Sequence, residues 1–135
     1  MTTYVEARDT IVAYLDPAWA AAYPSVPKFY ENTTSVQRDK IDHLFLAVDI
    51  EFEDSFRQGI DADPVTASYG AIHLCLFAKK GEGTRTTLAM FDFLTNLLKY
   101  RKLSGVTLDC PTPGNKTDKD GWVSMALEVP FSFWQ

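Results

Sequence analysis

The chain has 135 residues, a formal net charge of -5, and a composition that is 46% apolar and 13% aromatic. That length fits one domain with a core of its own, needing no disulfide or metal staples. Its Lys and Arg are scattered apart from the short pairs Arg38/Lys40, Lys79/Lys80 and Arg101/Lys102, which speaks against a sequence-specific nucleic-acid reader, since such binding needs a basic surface to displace counterions.

Cys75 and Cys110 lie far apart with no CxxC, so no disulfide framework is indicated. The start, Met1 to Glu6, lacks the basic and apolar regions of a signal peptide, and no run of about 18 apolar residues exists for a membrane span. A reducing, cytoplasmic compartment is expected.

Residues 3 to 15 read as a helix. Thr3-x-x-Glu6 forms a capping box, and Tyr4, Ala7, Ile11, Leu15 and Ala18 make one apolar stripe. Asp16-Pro17 then interrupts, so 17–22 is either a second short helix or a kinked continuation. Lys28 to Glu31 suggests a short strand, and Asn32 to Asp42 a polar loop or hairpin tip. From His43 the period turns to two: Leu44, Leu46, Val48, Ile50 and Phe52 alternate with Asp49, Glu51 and Glu53, the pattern of a strand with one buried face. Ser55 to Ile60 is expected to pair back, and Asp61 to Pro64 to turn.

Residues 66 to 78 predict a central strand, with Ile72, Leu74 and Leu76 on one face and His73, Cys75 and Phe77 on the other. A Gly81-Glu82-Gly83 turn leads to a helix from Thr84 to about Arg101, with Met90, Phe91, Leu94, Leu97 and Leu98 as its core stripe. Gly105 to Cys110 reads as a strand, Pro111 to Gly121 as a turn-rich loop, and Trp122 to Trp134 as the clearest strand of all. Pro130 cannot donate to a ladder, so it belongs at a sheet edge or bulge. The fold expected is α+β: a single domain over 1–135, with a mostly antiparallel mixed sheet packed against two helices, in the order α-β-β-β-β-α-β-β.

Catalytic patterns are thin. There is no GxSxG. Cys75 shares a strand face with His73, but its neighbours Leu74, Leu76 and Phe77 suit a packed core cysteine better than a thiolate. His43, His73, Cys75 and Cys110 together lack any compact zinc spacing. The third glycine of a phosphate-binding fingerprint would fall at Thr86, so Gly81 and Gly83 read as a turn. Asp49, Glu51 and Glu53 read as the solvated face of a half-exposed sheet, with a pore- or groove-lining role as the functional alternative. No catalytic, cofactor or metal residues are therefore assigned.

Two features point to partners. Ala89, Phe93 and Tyr100 form an apolar shoulder beside the core stripe of the second helix, more than a two-layer protein needs. The aromatic end, Phe131-Ser132-Phe133-Trp134, is either a strand completing the core or a docking segment.

Several pieces of the chain together resemble the tail terminator (minor tail, tail-completion) family of long-tailed bacteriophages. They are the opening helix ending near Trp19, the extended stretch from Ser25 to Asn32 and the strand with acidic alternation. Beside these stand Tyr69-Gly70, the run Lys79-Lys80-Gly81-Glu82-Gly83-Thr84-Arg85, Gly121-Trp122 and the closing Val129-Pro130-Phe131. The resemblance covers most of the chain and rests on layout more than on signature residues. It implies a structural protein of the virion, made in the host cytoplasm, without cofactor or enzymatic activity. Such proteins are thought to form a ring, typically of six copies, on the head-proximal end of the tail tube. The ring stops tube polymerisation and presents a surface to head-completion proteins, with DNA free to pass through. On this reading the partners are further copies of the chain, the tail tube protein and a connector protein, with no membrane and no sequence-specific nucleic acid. Interface candidates are Ala89, Phe93, Tyr100, Phe133 and Trp134, with 32–42, 53–65 and 111–121 as segments that could meet tube or connector. The alternatives are a head-closure or connector protein, and a small binding module or metal-using enzyme built on the acidic face of Asp49, Glu51 and Glu53 or on the His/Cys cluster.

Overall fold

In the computed structural model, which describes residues 2–30, 44–59, 65–81, 85–119 and 121–135, the capping box forms as expected. The Thr3 hydroxyl accepts the Glu6 backbone N–H at 3.1 Å, and the Glu6 carboxylate accepts the Thr3 N–H at 2.8 Å. Helix α1 then runs Tyr4–Ala22 with Pro17 inside it. Of the two readings of Asp16-Pro17, continuation is the one realised. Leu15 and Trp19 flank the proline and are both buried, and their burial offsets the roughly 3 kcal/mol that an internal proline costs. Asp16 does not cap a second helix. Its carboxylate accepts the Tyr30 hydroxyl and pairs with Lys28, tying α1 to the first strand.

The remaining elements are β1 (Lys28–Tyr30), β2 (Phe45–Gln58), β3 (Val65–Lys79), α2 (Arg85–Leu98), β4 (Lys102–Leu103), β5 (Val106–Leu108), β6 (Thr112–Lys119) and β7 (Trp122–Trp134). They build one seven-stranded sheet in the order β1-β2-β3-β7-β5-β4, with β6 also paired to β7. β1 runs parallel to β2 and every other described pairing is antiparallel. The chain is thus a single α+β domain with a mostly antiparallel mixed sheet and two helices, and β3 is central as expected.

The element order differs from the expected one in three places, one of them the added two-residue strand β4 between α2 and β5. Ser55 to Gln58 do not turn back. They extend β2 beyond an irregularity between Phe52 and Asp54, a bulge that bends the strand without ending it. The segment 112–119, expected as loop, is β6. Its described side chains are exposed, so it carries no apolar alternation to announce itself; Pro113, Lys116 and Asp118 are the residue types that protect a sheet edge from further pairing. Pro130 meanwhile lies inside β7. Its carbonyl accepts the Asp109 N–H at 2.8 Å, and in a strand the nitrogen of a residue points the same way as its carbonyl. The missing donor therefore faces the break between β5, which pairs with 131–133, and β6, whose pairing ends at Glu128.

Both helices cover the same sheet face. Ala7, Ile11, Leu15 and Trp19 of α1 join Met90, Phe91, Leu94 and Leu98 of α2 over Leu46, Val48, Ile72, Leu74, Leu127, Val129 and Phe131. The Tyr14 hydroxyl donates to the Leu97 carbonyl at 2.9 Å and links the helices directly. The far end of β7 is stitched to the start of the chain by the Thr2 N–H on the Trp134 carbonyl at 2.8 Å.

Candidate functional site: the sheet face left by the helices

Residues opposed in an antiparallel ladder point to the same side, so the register sorts the sheet into two faces. Val48, Leu74 and Leu127 are in register and lie under the helices; so are Ile50, Ile72 and Val129. The intervening rows form the other face: Phe45–Phe77–Ser124, Ala47–Cys75–Ala126, Asp49–His73–Glu128 and Glu51–Ala71–Pro130, then, past the bulge, Asp54–Tyr69–Ser132 and Phe56–Ala67–Trp134. Among the described residues no helix packs on this second face.

It divides into three zones along the strands. At one end Phe45 and Phe77 stack with ring centroids 4.8 Å apart, and Phe45 is met edge-on by Trp122 at 5.4 Å and by Phe29 at 5.9 Å. Phe45 is 2% exposed, so this zone is a closed secondary cluster worth roughly 0.5–1.5 kcal/mol per aromatic pair beyond burial.

The middle zone is polar. His73 Nε2 lies 3.0 Å from Glu51 Oε2, and Glu51, Glu53 and His73 bring one ligand-type atom each to within 4.8 Å of one another. Asp49 is half-buried while Glu51 and Glu53 are exposed.

The third zone, toward the Gln58 end of β2 and the Val65 end of β3, is apolar and open. Phe56 is 51% exposed, Tyr69 41% and Trp134 55%, with the Phe56 and Tyr69 rings meeting edge-on at 5.8 Å. Beside them a shallow cavity of about 330 Å³ is lined by Tyr69, Tyr100, Lys102, Thr107, Pro130 and Ser132, among others. Tyr100 is 62% exposed. A hydrogen bond with Cys110 is the main cause that raises its phenol above the ordinary value.

The expected interface residues are dispersed by this geometry. Phe133 is buried in the core, in edge-on contact with Tyr4 and Phe52, whereas Trp134 looks outward. Of the two readings of the aromatic end, it is a strand of the sheet. Phe93 is half-buried, 5.4 Å from the Tyr23 ring and 6.2 Å from Trp19, so it seals the contact between the helices. Ala89 is exposed on α2. Tyr100 lies past the end of α2 with φ 52. The shoulder expected from helical spacing is therefore not one continuous patch, because the helix stops at Leu98.

Of the His and Cys residues weighed as ligands, His73 and Cys75 share the free face; His43 lies outside the described residues. Cys110 sits between β5 and β6 with its thiol donating to the Pro111 carbonyl at 3.6 Å, and neither Cys75 nor Cys110 forms a disulfide among the described residues. Gly81 has φ 95, as a turn requires, while Gly83 and Thr84 lie outside the described residues. Of the segments expected to meet tube or connector, 32–42 also lies outside them. Phe56 was not singled out by sequence, and Tyr69 only as part of the Tyr69-Gly70 piece of the family resemblance. The signal available was two aromatics on adjacent strands, which needs the register to become a patch.

No family model matches the chain and no curated protein matches its sequence. The fold does have solved counterparts. One structure, whose name describes no function, superposes with a TM-score of 0.71 over 93% of this chain and 92% of its own, at 14% sequence identity. At that identity the likeness establishes the α+β fold. No helix among the described residues is long and apolar enough to cross a membrane.

Proposed function

We propose that the chain is a structural subunit of a long bacteriophage tail, a terminator that closes into a ring on the head-proximal end of the tail tube, halts tube growth and offers a docking surface to head-completion proteins. The observation that carries this reading is the open aromatic zone of the helix-free face. Phe56, Tyr69, Trp134 and Tyr100 are all more than 40% exposed, and large rings displayed together mark a surface made for another protein. A ring needs two different patches on each copy. The exposed Leu88 and Ala89 on α2 supply a second apolar patch on the opposite layer of the domain. The residue layout shared with the terminator family supports the same reading.

The test is electron microscopy of phage particles carrying an epitope-tagged copy of the protein. Label at the head–tail junction, one cluster per tail, is the expected result. Label along the tube, at the distal tip, or absent from particles overturns the proposal.

A further inference from the structure

We propose that Glu51, Glu53 and His73 form a binding site for one divalent transition-metal cation of the zinc class, set in the polar zone of the free sheet face. This inference is independent of the tail reading.

The site follows from how two strands are offset. In the β2–β3 ladder Asp49 opposes His73 and Glu51 opposes Ala71, so Glu51 is the diagonal neighbour of His73 on the same face. The irregularity between Phe52 and Asp54 inserts Glu53 as an unpaired residue. A bulge re-aims the side chain it carries, and here the Glu53 carboxylate joins the other two groups, with all three ligand atoms within 4.8 Å of one another.

The His73–Glu51 contact is a close approach without hydrogen-bond geometry. Nε2 lies 3.0 Å from Glu51 Oε2, yet it is a buried nitrogen with no hydrogen-bond partner. The two observations agree if the ring nitrogen and the oxygen point to a common third position instead of at each other. A tetrahedral ion about 2.1 Å from each of two ligand atoms sets them about 3.4 Å apart, close to the 3.0 Å separation of His73 Nε2 and Glu51 Oε2.

Charge and chemistry favour the same occupant. Two carboxylates drawn together on a face that also carries Asp49 and Glu128, in register on either side of His73, repel one another, and a cation offsets that repulsion. One imidazole with two carboxylates suits zinc-like ions better than magnesium or calcium, which prefer all-oxygen shells. Glu51 and Glu53 are exposed, which leaves the remaining coordination positions open to water.

Isothermal titration of the purified, tag-free full-length chain with zinc chloride tests this. The expected result is one saturable site per chain, weakened at least about tenfold in Glu53→Gln and lost in His73→Ala. The melting temperature should rise with zinc in the parent chain and rise less at the same zinc concentration in Glu53→Gln, whose exposed side chain can change without disturbing the core. Absence of saturable binding overturns the proposal. So does affinity that is unchanged in Glu53→Gln, whether or not His73→Ala folds.

Discussion

Gly70 and Phe131 oppose each other across the β3–β7 ladder, and the phenyl ring fills the space where a side chain would stand. A Cβ on Gly70 would lie 2.5 Å from Phe131 Cζ and 2.4 Å from the Glu51 carbonyl oxygen of the neighbouring strand. Phe131 is buried and meets Phe52 edge-on at 5.7 Å, so neither ring nor backbone can yield cheaply. Gly70→Ala is expected to destabilise the fold by about 2–3 kcal/mol in urea unfolding. A change below about 0.5 kcal/mol would show that the β2–β3–β7 packing is looser than described.

Tyr100 follows α2 in the left-handed region, at φ 52, where a side chain is strained and glycine is not. Because the ring is mostly exposed, Tyr100→Gly should be neutral or stabilise by up to about 1 kcal/mol in thermal melts. A clear loss would mean that the ring's contact with Cys110 outweighs the backbone strain.

Tyr30 gives the fold an alkaline limit. Burial, then the hydrogen bond to Asp16 and its negative charge, hold this phenol well above its ordinary value. The folded state therefore keeps the proton more tightly than the unfolded one. The contribution is fully present below about pH 10 and is lost as pH rises through the raised value of the folded state. Stability measured from pH 8 to pH 11 should fall at the alkaline end. Tyr30→Phe should be less stable at neutral pH by about 1 kcal/mol, for the lost hydrogen bond, and show a shallower alkaline decline. Parallel profiles for the two proteins would remove Tyr30 from that role.

The sequence disclosed the core and its two periodicities because burial imposes them. Ile72, Leu74 and Leu76 against His73, Cys75 and Phe77 sort correctly on β3, and the Thr3–Glu6 box marks the start of α1. What it hid depends on long-range pairing. β6 is legible only from β7, since an exposed edge strand selects polar residues and turn formers. The end of α2 at Leu98 was masked by Tyr100, an aromatic at a position that glycine usually takes. The polar cluster was half visible: the acidic alternation named Glu51 and Glu53, but only the register and the bulge bring His73 to them.

The exposed aromatics and those enclosed by the fold should separate under substitution. Trp134→Asp and Tyr100→Asp change exposed rings, so each should keep the stability of the parent within about 0.5 kcal/mol while reducing incorporation into phage particles. Phe93→Asp and Phe133→Asp instead break the helix–helix contact and the core, and should lose about 3 kcal/mol or more. Normal incorporation of the first pair would remove the open zone from assembly, whatever the second pair does.

The central claim is tested most directly by the length distribution of tails in lysates of phage that lack this gene, with and without the protein supplied in trans. Overlong, headless tubes are expected without the protein, and tails of normal length when it is restored. Tails of normal length beside empty or leaking heads would contradict the terminator and indicate head closure, and normal infectious particles would contradict any tail role.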